Sequence, residues 1–275
     1  MYKKLFFGIS EKMDVKRVAW LLLEFAVLIV IFTFWQLKDS IIPHTKIGFF
    51  CGDASLSYPY MKASIPTEWL YISLYIVPIS IWLIELSIEF IKDRNEIKKK
   101  FLTTSLRSLK WFIYYYVTFM ILMIFLTLLK NLVGGLRPFF FEMCQPDLAR
   151  NCSLGEFVNF DYKCTNPIAT EYIITEIRRS FPSGHAMGSV YITFFFMRYM
   201  EARFSKFRVT LSALHFLCIT WVVVCCVSRI IEHYHHVGDV IAGIILALPF
   251  LLYSTQILCK DFETTKRKHQ IGDIL

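Results

Sequence analysis

Apolar residues in this chain run in long blocks instead of alternating, and short polar stretches separate the blocks. A helix needs roughly 20 residues to cross about 30 Å of hydrocarbon at about 1.5 Å per residue. Six blocks reach that length, at 18–37, 69–91, 109–129, 185–204, 209–227 and 237–259. The pattern predicts an all-α, polytopic membrane protein with six transmembrane helices. Residues 1–17 form an amino-terminal segment, 18–259 the membrane domain with a long loop over 131–184, and 260–275 a tail. Glu24, Pro78, Glu85, Glu89, Glu201, Asp239 and Pro249 fall inside or near the ends of spans. Acids there are expected to face other helices or the interface, and prolines to rely on neighbours for the freed carbonyl. The first block is too long for a signal-peptide core, contains Glu24 and follows Glu11 and Asp14, so it reads as a retained signal anchor. Ahead of it, Tyr2, Leu5, Phe6, Phe7 and Ile9 with Lys3, Lys4 and Lys12 fit either an interfacial amphipathic helix or a basic tail.

Composition supports this class and excludes others. The 275 residues are 56% hydrophobic and 19% charged, whereas soluble domains run at roughly 45–50% and about 25%. Disordered chains are poorer still in apolar residues. Eight cysteines are far below the roughly 8–10% of a small disulfide scaffold. The net charge of +8 does not imply nucleic acid, because it sorts by connection. Twenty Lys and Arg fall in the amino terminus, the second and fourth connections and the tail, and ten in the remaining connections. That bias puts both termini in the cytoplasm.

Two further features bear on sidedness. Cys51, Cys144, Cys152 and Cys164 all fall in the predicted outer connections, where an oxidising exterior permits disulfides among them, with three pairings open. Asn151-Cys152-Ser153 is a glycosylation acceptor in the same long loop.

Three polar clusters sit at span ends. Lys130, Arg137 and Pro138 leave the third span, Pro182, Ser183, Gly184 and His185 enter the fourth, and Ser228 and Arg229 leave the fifth, followed by His235 and Asp239 as the chain enters the sixth. With six spans and a cytoplasmic amino terminus, all three face outside. Arg forks match phosphate oxygens and Lys adds a point charge. A helix starting at Gly184, after Pro182, would offer free N–H groups and close approach. His235 and Asp239 are four apart, so a helical turn brings them together. The carboxylate would fix one imidazole nitrogen and leave the other as nucleophile, and His185 could protonate a leaving alcohol. Simpler readings exist for each part. Any one cation could be an interfacial anchor, and Pro-Ser-Gly is a common turn. His233, His235, His236 and Asp239 are zinc-ligand types, but neighbouring cations would repel a dication, so no metal or other cofactor is expected.

Lys130-x6-Arg137-Pro138, Pro182-Ser183-Gly184-His185 and Ser228-Arg229-x5-His235-x3-Asp239 together resemble the three-part signature of the type 2 phosphatidic acid phosphatases. Gly48 to Asp53, Tyr58-Pro59-Tyr60, Cys144 to Asp147, Asn151-Cys152-Ser153 and Glu201-Ala202-Arg203 resemble the animal lipid phosphate phosphatases, and the likeness runs from about residue 15 to 260. The resemblance implies a metal-independent phosphatase. His235 would be its nucleophile, forming a phosphohistidine, Asp239 its orienting partner, and His185 the acid and then the base. Lys130, Arg137, Ser183, Gly184 and Arg229 would hold the phosphate. It implies phosphatidic acid, lysophosphatidic acid, ceramide 1-phosphate and sphingosine 1-phosphate as substrates. The resemblance gives His233 and His236 no catalytic role.

The expectation is thus a lipid phosphate phosphohydrolase of the plasma membrane or secretory pathway, with its site outside or in the lumen. A phosphatase for soluble phosphomonoesters and a silent lipid-phosphate-binding relative are the alternatives. Gly184-x3-Gly188 fits a close helix contact, and a homo-oligomer stays open.

Overall fold

The computed structural model describes residues 45–92 and 97–272, together with Ile29, Val30, Thr33 and Leu37. Residues 1–41 and 42–275 are separate units, and the second carries everything below. Apart from those four positions, the predicted first span lies outside the described residues, as do the segment 1–17 and Glu24.

The elements follow in chain order. A short strand β1 (Phe49–Phe50) precedes helices α1 (Thr67–Lys92) and α2 (Ile97–Leu132). The long connection then holds α3 (Phe140–Cys144), strand β2 (Phe157–Val158) and α4 (Glu171–Glu176). Helices α5 (Gly184–Phe204), α6 (Arg208–Ile231) and α7 (Val237–Gly272) complete the chain. The fold is that of an all-α membrane protein, with one small exception to the predicted class: β1 and β2 pair antiparallel, Phe49 opposite Val158.

Among the described residues, α1, α2, α6 and the first 20 residues of α7 (Val237–Gln256) are long and apolar enough to cross a membrane. Their outward faces expose Trp69, Ile76, Phe216, Leu217, Ile245 and Leu252, as lipid-facing helices should. The predicted fourth span forms α5 but does not meet the same standard of apolarity. Its packing explains why. Helix α5 contacts α1, α2, α6 and α7, and only Arg198 along it is exposed. A helix enclosed by protein needs no continuous apolar surface.

The four predicted acids that can be checked are handled through pairing. Glu85, 2% exposed, accepts from Arg107 Nη2 at 3.0 Å, Arg203 Nη2 at 2.9 Å and the Tyr199 hydroxyl at 2.9 Å. Glu89 lies 3.4 Å from the same Arg107. Glu201 pairs with Arg198 at 2.7 Å, and Asp239 belongs to the site below. Buried carboxylates are stable only when partnered in this way.

The long connection and β1 share a small core of Phe49, Leu136, Phe140, Val158, Tyr162 and Ile177. Two disulfides fasten it, Cys51–Cys152 and Cys144–Cys164. Asn151 is exposed at its surface.

Candidate active site

The carboxyl ends of α2 and α6 and the amino ends of α5 and α7 meet at one end of the helix bundle. Backbone hydrogen bonds lace the connecting segments together. After α2, Gly134 and Gly135 take φ values of +69° and +118°, a region that side-chain-bearing residues rarely enter. This turn lets Gly134 and Gly135 accept from Phe181 and Ser180 N–H at 3.1 and 2.9 Å, while Arg137 N–H donates to the Ile177 carbonyl at 2.8 Å. The segment carrying Lys130 and Arg137 is thereby fixed against the segment leading into α5.

Ser183 caps α5, its hydroxyl accepting from Ala186 N–H, so the helix begins at Gly184 as the sequence predicts. Ser183 N–H in turn donates to the Asp239 carbonyl at 3.0 Å. Close approach of α5 and α7 depends on Gly243, where a Cβ would stand 2.5 Å from the Ser183 carbonyl oxygen. A Cβ on Gly184 would come within 3.0 Å of Leu126, so this glycine serves helix packing as well as an open helix start.

Asp239 Oδ2 gathers four groups. Ser180 donates its hydroxyl at 2.6 Å, His236 its backbone N–H at 2.9 Å, and the His235 ring faces it with Nδ1 at 3.7 Å. The last distance is longer than a hydrogen bond. The His236 ring also reaches this oxygen, with Nδ1 at 3.4 Å. His235 lies in the turn before α7 and is 4% exposed. Burial lowers its proton affinity to a pKa of about 3, while Asp239 pulls the other way. The ring is therefore neutral near pH 7. His236 is half-buried, and its pKa is raised chiefly by its hydrogen bond to Asp239.

Three cations lie near the two rings. The charges of Arg229, Arg137 and Lys130 all act on His185, and those of Arg137 and Lys130 on His235. Each cation is held by its own acceptor. Lys130 Nζ donates to the Arg179 carbonyl at 2.6 Å. Arg137 grips Glu176 twice, Nε on the carbonyl and Nη2 on the carboxylate, both at 2.8 Å. Arg229 donates Nη2 to Glu232 at 2.8 Å and Nε to Ser228 at 3.2 Å. Two guanidiniums lie over the Tyr234 ring, Arg229 at 5.1 Å and Arg137 at 5.7 Å from its centroid. His185 Nε2 is buried without a protein hydrogen-bond partner.

All eight signature residues singled out in the sequence thus meet at one end of the bundle. Chemically, the arrangement offers a neutral imidazole, a second imidazole, a buried carboxylate and a triad of cations suited to a tetrahedral or pentacoordinate oxyanion. Sequence reasoning missed Ser180, Glu176, Tyr234 and Gly243, for which no local pattern gives a signal. It also missed Glu232, three residues after Arg229, a spacing that pairs opposite charges on a helix. Among the described residues, no group of three or more His, Cys, Asp or Glu side chains is placed to hold a metal ion.

A family model described as PAP2 superfamily matches residues 111–262. The chain is 28% identical over 236 residues to rat "Phospholipid phosphatase 1", covering 81% of this chain and 80% of that protein. It is 28% identical over 256 residues to rat "Phospholipid phosphatase-related protein type 1", covering 85% and 77%. To the Drosophila melanogaster "Putative phosphatidate phosphatase" it is 27% identical over 219 residues, or 72% of this chain, and it spans only 57% of that protein's length. No solved structure matches it.

Proposed function

This chain belongs to the PAP2 superfamily, and from that premise we propose that it is an integral-membrane phosphatase that removes phosphate from lipid phosphate monoesters. The observation that carries the reading is the convergence of Lys130, Arg137 and Arg229 on two histidines beside a buried carboxylate. A lone anchor cation at the interface has no reason to be held by an acceptor of its own beside two histidines, as these three are.

In this reading His235 is the nucleophile. Its Nδ1 side faces Asp239, so Nε2 attacks phosphorus and Asp239 stabilises the positive charge that develops on the ring. The P–O bond to the lipid breaks, and His185 gives its proton to the departing alkoxide. The phosphohistidine is then hydrolysed: His185 takes a proton from water, whose oxygen bonds to phosphorus as the P–N bond breaks. The three cations and the N–H groups at the start of α5 balance the charge on the equatorial oxygens. No redox step or cofactor enters the balance.

The substrates of this reading are phosphatidic acid, lysophosphatidic acid, ceramide 1-phosphate and sphingosine 1-phosphate. The names of the rat and fruit-fly relatives support that class. Both termini are cytoplasmic and the site opens at the outer or lumenal face, a sidedness that rests on the distribution of Lys and Arg. The presence of His185, Ser183 and His235 favours catalysis over silent binding.

The test is a panel of dispersed lipid phosphates and glucose 6-phosphate on purified protein, with His235→Ala as control. Release from the lipids, abolished by the substitution, is the expected result. A clear preference for the sugar ester overturns the lipid assignment, and undiminished release by the variant overturns the nucleophile.

A further inference from the structure

Residues 58–65, between β1 and α1, form a strap across the turn that follows α6. The Tyr58 ring stacks on His233 with centroids 4.2 Å apart. The Tyr234 hydroxyl donates to the Met61 carbonyl at 2.9 Å. Ser64 gives both its N–H, at 2.9 Å, and its hydroxyl to Glu232 Oε1. The other oxygen of that carboxylate, Oε2, receives Arg229 Nη2 at 2.8 Å. Arg229 is 1% exposed and Glu232 7%. One buried carboxylate thus joins the strap to a cation of the site, and both of its oxygens are occupied.

We propose that Ser64 and Glu232 are positioning residues for Arg229, which makes the strap a working part of the phosphate site. The proposal rests on the reading that Arg229 holds phosphate. A guanidinium has five N–H donors, and Arg229 uses one on Ser228 and one on Glu232. Three remain for an anion. With two edges held and its face packed on Tyr234, the fork keeps one orientation. Such a cradle needs no rearrangement when charge develops on phosphorus. Without Glu232 the same group would be a buried cation with only a serine hydroxyl to hold it, free to turn on its flexible stem. Ser64 completes the arrangement by fixing the carboxylate itself.

The signature spacing names Arg229 and His235 but leaves the five residues between them unspecified, and nothing in it points to residue 64. The inference comes from the contacts alone.

The test uses the full-length protein in detergent and the variants Glu232→Gln, Glu232→Asp and Ser64→Ala. Orthovanadate, which adopts the pentacoordinate geometry of phosphoryl transfer, is the probe. Its inhibition constant and the thermal shift it induces are measured beside kcat and KM for dispersed phosphatidate. Glu232→Gln should weaken vanadate binding and lower kcat/KM together by about tenfold or more, the scale of one charge-assisted hydrogen bond. Glu232→Asp should recover part of the loss, and Ser64→Ala should show a smaller, parallel one. Variants that melt earlier yet bind vanadate as tightly as the native protein overturn the proposal and leave a structural ion pair. If Glu232→Gln does not fold, Ser64→Ala decides the same comparison, since it removes a single hydroxyl. The vanadate-induced shift needs no turnover. A native protein that releases no phosphate from any lipid therefore sinks the functional reading separately from this one.

Discussion

The Ser180 hydroxyl donates to Asp239 Oδ2 at 2.6 Å, joining the segment that enters α5 to the carboxylate that opens α7. Both residues are buried. The bond restrains the carboxylate that faces His235, so the aim of the proposed nucleophile depends on a residue two positions ahead of the signature. Ser180→Ala should lower kcat by about tenfold with little change in KM, since a hydrogen bond to a charged group contributes roughly 1.5–3 kcal/mol. Steady-state phosphate release measures both. An unchanged kcat would remove Ser180 from the mechanism.

The two histidines beside Asp239 should titrate in opposite directions. Burial depresses His235 to about 3, so it loses its proton at a lower pH than a free imidazole and stays neutral from pH 5 to 8. His236 is raised by Asp239, so it holds its proton to a higher pH than a free imidazole. NMR titration of the free protein, with each ring assigned by its substitution, should show no His235 transition in that interval and a His236 transition above about 6.5. A His235 midpoint near 6.5 would contradict the burial argument and with it the ready nucleophile.

Gly243→Ala should damage activity without touching a reacting group. The added Cβ would stand 2.5 Å from the Ser183 carbonyl, and α5 must yield. Displacing a positioned group by about 1 Å can cost on the order of a hundredfold. We expect kcat/KM to fall by at least tenfold, read against a melting temperature that shows the protein still folded. Wild-type turnover in this variant would mean that the two helix starts are not coupled.

Glu85 gives the converse. It neutralises Arg107 and Arg203, and Arg203 is 18 residues beyond His185 in the same helix, roughly 27 Å along its axis. Glu85→Gln removes the carboxylate charge facing Arg203, whose side chain is 9% exposed, and one of the two carboxylates beside Arg107, and should destabilise the protein by about 3 kcal/mol. Thermal unfolding in detergent should shift down while kcat of the folded fraction stays within about twofold of native, as expected for distant, independent sites.

The Cys51–Cys152 disulfide joins β1 to the long connection across 101 residues of sequence. Replacing both cysteines with serine should cost about 2–5 kcal/mol. Because the strap 58–65 begins a few residues after Cys51, kcat/KM should fall as well. A variant that is less stable but fully active would detach the strap from this anchor.

Much of this architecture can be read from sequence because hydrophobic length and polar spacing are local properties. The helix α5 starts at Gly184 and α7 at Val237, where the chain turns from polar to apolar. The Arg229–Glu232 pair is local, three residues apart, but the partner of Arg137 and the strap's hold on Glu232 are not. Glu176 and Glu232 stand in no periodic relation to Arg137 or to Ser64, and only the folded connection brings them together. The disulfide partners are similar: four cysteines permit three pairings, and the choice follows from β1 lying against β2. The block 185–204 reads from sequence as a span like the others, and its enclosure by α1, α2, α6 and α7 emerges only from the packing.

The enclosure of α5 separates the chemistry from the host bilayer. Thinning or thickening of the surrounding lipid presses on α1, α2, α6 and α7, each of which can tilt to match it. Among the described residues α5 is enclosed by those neighbours, and its His185 end is tied to α7 by Ser183 and to the Lys130–Arg137 segment by the Gly134–Gly135 turn. In the proposed reading, the neighbouring helices thus insulate the reacting end of α5 from a mismatch in bilayer thickness.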